Sequence, residues 1–234
     1  MPGVPEWEMA LALRANPVVA WYLRHKCPEL SGWFDQLEGI QFDTVNEEKV
    51  YEAEQVVMRS INDWLVYVVD PEIYDRQPFL NWDTRELTEL VDFSDKVIAD
   101  IGAGTGRLAL AVAPFARYVF AIEPIGNLRS YLKEKAQQAG SRNVYVSDGL
   151  ATEIPFPNEY FDITMGGHVF GDAPVVEIRE LERVTRFGGH VILCPGNPDV
   201  DNAAHQVLVE RQYNWACFEE PKSGMVRKYW KELK

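Results

Sequence analysis

The sequence is short of cysteine and of positive charge, and it has no long apolar run. Its 234 residues hold three cysteines, Cys27, Cys194 and Cys217. The number is odd and no pair is spaced CxxC, which argues against a disulfide framework or a zinc ribbon. A reduced, cytoplasmic setting is therefore expected. His25-Lys26-Cys27 has no second ligand pair to accompany it, so no metal site is expected. Lysine and arginine number 23 against 36 acids, a net charge of −13, and no basic run exceeds Arg227-Lys228. That balance argues against a nucleic-acid backbone as the main partner. Residues 1–8 lack the basic and apolar stretches of a signal peptide. No window approaches the roughly 20 apolar residues of a membrane span.

What is present is an ordinary globular composition, 47% hydrophobic and 25% charged, with its pattern changing near residue 85. Before that point the periodicity is helical. Asn16-Pro17 reads as a cap and first helical position, and Pro28 opens another helix with Leu30, Trp33, Phe34 and Leu37. From Glu47 to Val69, apolar residues recur every three or four positions, with Asn46 as cap and Pro71 as stop. Five of the seven tryptophans lie before the change, and most aromatics at such spacing are expected to be core. The predicted division is a helical segment, 1–85, and a second domain, 86–234.

In the second domain strands are expected near 96–100, 118–122, 143–147, 160–166 and 189–194, with helices near 105–116, 125–139 and 173–186. This alternation predicts a parallel sheet covered by helices on both faces. The tail departs from it. A helix over Val200–Arg211 precedes two strands, Tyr213–Glu219 and Met225–Trp230, around a Pro/Gly turn, which predicts an antiparallel last strand.

The chemistry concentrates at Asp100-Ile101-Gly102-Ala103-Gly104-Thr105-Gly106, a strand, a glycine turn and a helix start. The next strand ends in Glu123, about twenty residues on, where an acid can accept hydrogen bonds from ribose hydroxyls. A nicotinamide site needs G-x-G-x-x-G, but Arg107 stands at the third glycine. The spacing is instead an acid followed by G-x-G-x-G. This resembles motif I of the class I S-adenosylmethionine-dependent methyltransferases.

Four further segments are similar to that family, in its order: Glu123; Ser147-Asp148-Gly149; Ile154-Pro155-Phe156 through Phe161-Asp162; and Arg183-Val184-Thr185-Arg186-Phe187-Gly188-Gly189. Arg186-Phe187 replaces the usual Lys-Pro in the expected turn before strand five. The resemblance implies a Rossmann-like α/β fold. Its seven-stranded mixed sheet would have order 3-2-1-4-5-7-6, with the last strand antiparallel and an N-terminal helical cap. It implies S-adenosylmethionine as cofactor. Asp100, Gly102, Ala103, Gly104 and Gly106 would form its turn, with Glu123 and Pro124 at the ribose and Asp148, Gly149 and Leu150 at the adenine. Gly166 and Gly167 would let backbone approach it. His168, just past strand four, would border the transferred methyl and act as general base.

Tyr67, Tyr74 and Trp82 are candidates for an aromatic lid, Asp162 and Phe161 read as structural, and Arg107 is expected on the exposed side of its helix. The chain lacks the N/D-P-P-Y/F tetrapeptide of base-directed amino-methyltransferases, so a small-molecule acceptor is expected. The alternatives are a non-catalytic cofactor-binding sensor or scaffold and, at greater distance, a nicotinamide-dependent oxidoreductase. Nothing in the sequence signals an oligomeric state.

Overall fold

The structure, a computed structural model, describes residues 4–42 and 44–234, with residues 29 and 61–69 described by backbone alone. The chain forms two compact units, Met1–Val66 and Tyr67–Lys234. The division falls before residue 85 because 67–85, though helical in pattern, belongs with the sheet.

The first unit contains α1 (Glu6–Ala15), α2 (Pro17–Lys26), α3 (Ser31–Gly39) and most of α4 (Glu47–Val69). Its small core is Ala10, Phe34 and Leu37, with Leu13, Leu23 and Trp33 packed around them. Asn46 caps α4 through its Oδ1, which accepts from Lys49 N at 2.9 Å. Asn16 precedes Pro17 as expected but does not cap with its side chain. Its amide instead donates to Ala12 O and to Glu54 Oε1. The expectation that these aromatics are mostly core fails along α2, which buries no residue and exposes Trp21 and Tyr22 by 64% and 52%.

The second unit is one seven-stranded sheet, β3-β2-β1-β4-β5-β7-β6. Its strands are β1 (Val97–Ile101), β2 (Tyr118–Ile122), β3 (Val144–Ser147), β4 (Phe161–Gly166), β5 (Thr185–Pro198), β6 (Asn214–Glu220) and β7 (Gly224–Glu232). The first five pair in parallel and β7 runs antiparallel between β5 and β6. The helices are α5 (Pro71–Asp75), α6 (Arg85–Thr88), α7 (Arg107–Val112), α8 (Gly126–Gln138), α9 (Pro174–Val184) and α10 (Ala203–Glu210). The central strands β1 and β4 are mostly apolar and almost wholly buried because both faces are covered. Ile98 and Met165 serve one core cluster, while Ala99, Ile101 and Leu193 serve another.

The segment at Arg186-Phe187 is not a turn before β5 but part of it. Phe161 pairs with Thr185 and Ile163 with His190, so the extra residues form a bulge containing Gly188 at φ 74°. Arg186 pairs with Asp162 at 2.7 Å, and the same carboxylate accepts from Val97 N at 2.7 Å. Asp162 therefore fastens the start of β1 to β4, a structural part as expected. No helix among the described residues is long and apolar enough to cross a membrane.

Candidate functional site: the carboxyl edge around the glycine turn

Parallel strands present their carboxyl ends on one edge, where ligands of open α/β sheets bind. Here β1 ends in the glycine turn and β4 in Gly166-Gly167-His168. All three turn glycines have left-handed backbone, φ 65°, 54° and 84° at Gly102, Gly104 and Gly106. A Cβ on Gly106 would lie 2.0 Å from Leu132 Cδ1, and one on Gly102 would lie 2.5 Å from Val169 Cγ2. Both glycines thus serve protein packing, Gly106 by letting α7 and α8 meet. Gly104 differs, because a Cβ there would lie 3.3 Å from the Tyr74 ring.

The acid of β2 reaches back to this turn. Glu123 Oε2 accepts from Gly104 N and Oε1 from Ile125 N, both at 2.9 Å. Burial raises its pKa above the ordinary carboxylate value, against the pull of those two amides. Asp100 is also buried, and its Oδ2 accepts from Ala109 N at 2.8 Å, capping the first turn of α7. Burial pushes its carboxyl up to about 8. It braces the turn from beneath.

Six of the expected site residues, Asp100, Gly102, Ala103, Gly104, Gly167 and His168, line one crevice of about 20 Å³ together with Tyr74, Leu80, Trp82 and Pro195. The adenine-side residues stand apart. Asp148, Gly149 and Leu150 border an open hollow of about 650 Å³ with Pro155 and Phe156. Arg129 joins the two regions, donating to Glu123 O, Pro124 O and Asp148 Oδ1 at 2.7–3.0 Å. Gly166 and Gly167 are explained by neighbours in the protein. A Cβ on the first would meet Val169 at 2.5 Å, and on the second Cys194 O at 3.0 Å.

Residues 71–82 form a strap over this edge. Tyr74 sits on Gly104, Phe79 meets His168 edge-on at 5.2 Å, and Asp75 pairs with Lys135 of α8 at 2.6 Å. Burial alone would raise the Asp75 pKa, but the hydrogen bonds from Lys135 and Tyr131 and the Lys135 charge outweigh it and lower it. Of the two lid candidates whose side chains are described, Tyr74 occupies such a position. Trp82 is 2% exposed and packs on Phe218, so it is core. The Tyr67 side chain lies outside the described residues. Arg107 is not on an exposed face either. It is half-buried, donates to Trp82 O and stacks 5.5 Å from the Trp82 ring, a placement that holds the strap's end.

His168 has left-handed backbone, φ 56°, with its N–H donating to Pro195 O. Its Nε2 lies 2.7 Å from Oε1 of Glu220, at the end of β6. Sequence reasoning missed Glu220, which lies 52 residues away behind a hairpin, and Arg129, which looks like a surface residue of an amphipathic helix.

Known proteins agree with this geometry. Residues 99–193 match the family model described as a methyltransferase domain. The chain is 32% identical over 111 residues to the uncharacterized methyltransferase YcgJ of Bacillus subtilis, covering 44% of each chain. It is 25% identical over 157 residues to a demethylmenaquinone methyltransferase of Lactococcus lactis, covering 63% of this chain and 58% of that one. The matched segments thus span about half the length of these curated relatives. Among solved structures, a SAM-dependent methyltransferase from Aquifex aeolicus shares the fold at TM-score 0.50 and 18% identity, over 71% of this chain and 90% of that one. In its glycine turn, the acid of β2, the strand order and the methyltransferase domain model matched over residues 99–193, this chain is similar to the class I S-adenosylmethionine-dependent methyltransferases.

Proposed function

We propose that the chain transfers a methyl group from S-adenosylmethionine to a small-molecule acceptor. The carrying observation is the Gly104 N–H on the buried Glu123 carboxylate, within a turn of three left-handed glycines at the carboxyl edge. Two fixed oxygens beside a turn with glycine at every second position suit a ribose diol, and the turn's polarity suits the rest of an adenosyl ligand. When bound, S-adenosylmethionine supplies a methyl group already activated on a sulfonium. The work left to the chain is positioning and water exclusion. Glu123 would hold the ribose and Arg129 would set Asp148 beside the adenine. Tyr74 would cover the turn, and His168 would accept the acceptor's proton.

A crevice of about 20 Å³ is far below the roughly 300–1,000 Å³ of small-molecule sites, so loading requires the strap to swing off Gly104. The surplus of acid, net −13, supports a small acceptor over nucleic acid. The demethylmenaquinone methyltransferase among the relatives makes quinol-like acceptors the first to try.

Thermal shift with S-adenosylhomocysteine and with the nicotinamide cofactors tests the donor. Only the true ligand stabilises the fold, by about 2.7 kcal/mol at a hundred times its Kd. Stabilisation by a nicotinamide cofactor alone would overturn the reading. Methyl transfer from a tritiated donor into quinol, phenol and amine pools then tests the acceptor. Binding without any transfer would favour a cofactor sensor.

A further inference from the structure

We infer that Glu220 is the positioning residue for His168, a role that rests on His168 acting as the proton acceptor proposed above. The Glu220 side chain is 2% exposed, while that of His168 is 34% exposed, and Oε1 and Nε2 lie 2.7 Å apart. A buried carboxylate needs a partner to offset its desolvation. Among the described residues its one ion-pair partner is His168. Lys228, which like Glu220 acts on Cys194, is held by the Glu86 carboxylate at 2.7 Å and its carbonyl at 3.0 Å. Cys194 lies nearby, and burial pushes its thiol up to about 12, so it stays neutral.

An ionised carboxylate only accepts hydrogen bonds. Nε2 must therefore carry the ring proton, which leaves the lone pair on Nδ1, an atom with no hydrogen bond among the described residues. Two further contacts and a backbone conformation position the residue. The Phe79 edge stands at 89° to it, the backbone is left-handed at φ 56°, and the His168 N–H is tied to Pro195 O. A left-handed backbone at a non-glycine residue is strained, and such strain concentrates at functional sites.

The proton balance closes around this pair. The acceptor atom bonds to the methyl carbon as the carbon–sulfur bond breaks, and that electron pair stays on sulfur, giving a neutral thioether. The acceptor's proton moves to Nδ1, and the resulting imidazolium faces the Glu220 carboxylate. The fold makes the pairing possible. β6 runs in the same direction as β5, so its last residue lies at the same edge as the end of β4.

Nuclear magnetic resonance of the intact protein with ¹⁵N-histidine decides the matter without an acceptor. An exchange-protected Hε2 coupled to His168 Nε2 is expected in the wild type, less protected in Glu220→Gln, which keeps one acceptor oxygen, and lost in Glu220→Leu. S-adenosylhomocysteine affinity measured alongside should stay within twofold, which shows the variants are folded. A proton on Nδ1 in the wild type overturns the inference, as does an Hε2 signal unchanged in the variants. Should either variant fail to fold, the wild-type spectrum with Glu220→Asp, which withdraws the carboxylate by one methylene, gives the same test. With a soluble naphthoquinol as methyl acceptor, His168→Ala should lose about a hundredfold in kcat, the scale of general-base loss. No transfer by the wild type would count against the acceptor class under Proposed function and leave Glu220 to the spectra.

Discussion

Glu123 carries the largest separable consequence. Replacing it with alanine removes an oxygen from Gly104 N and another from Ile125 N, each at 2.9 Å. Leaving a buried donor unsatisfied costs about 1–3 kcal/mol, so the pair amounts to roughly 2–6 kcal/mol before any water fills the gap. A domain of this size loses about 2–4 °C of Tm per kcal/mol, so a fall of the order of 10 °C is expected. The same substitution removes the ribose acceptors. A hydrogen bond to a charged group is worth about 1.5–3 kcal/mol, which makes S-adenosylhomocysteine binding tenfold or more weaker.

Glu123→Gln keeps one oxygen but sets an NH₂ group against an N–H donor, so it should fall between the two in both Tm and affinity. Calorimetric titration well below each variant's Tm separates the effects. A folded Glu123→Ala protein with wild-type affinity and a lowered Tm would refute the reasoning. Glu123 would then be a clamp on the glycine turn and nothing more.

Three further outcomes are expected. Asp100, with its carboxyl raised by burial to about 8, is protonated in the fold where the unfolded chain would be ionised. Its stabilisation is complete below about pH 4 and is lost as pH rises through 8, at about 1.4 kcal/mol per unit. Asp100→Asn should flatten that part of the Tm–pH curve, and an unchanged slope would count against it. Gly106→Ala and Gly140→Ala both force alanine into left-handed backbone, at φ 84° and 68°, but only the first meets a neighbour, Leu132, at 2.0 Å. Gly140→Ala should cost about 1–2 kcal/mol and Gly106→Ala about 1–3 kcal/mol more by chemical denaturation. Lys135→Met removes the Asp75 ion pair, 21–31% exposed, that holds the strap. Hydrogen exchange at the Tyr74 amide should quicken a few-fold, since about 1 kcal/mol shifts an opening equilibrium about fivefold.

The sequence by itself determined the sheet and the turn at its centre. The alternation predicted a parallel sheet and the terminal hairpin its antiparallel strand, because such patterns are set by local backbone demands, while the strand order came from the family resemblance carried by five ordered motifs. Asp100, Gly102, Gly104 and Glu123 were legible for the same reason, since their spacing along the chain fixes their meeting in space. Tertiary structure alone decided what those residues face. Asp100 reads as a ligand-side acid and, besides lining the crevice, caps α7 by accepting from Ala109 N. Arg107 reads as exposed and lies under Trp82, because the strap arrives from 25 residues earlier. Glu220 reads as a hairpin acid and becomes the partner of His168 across 52 residues, because parallel β5 and β6 bring their ends to one edge. No local rule encodes a contact of that range. It exists only once the sheet has closed.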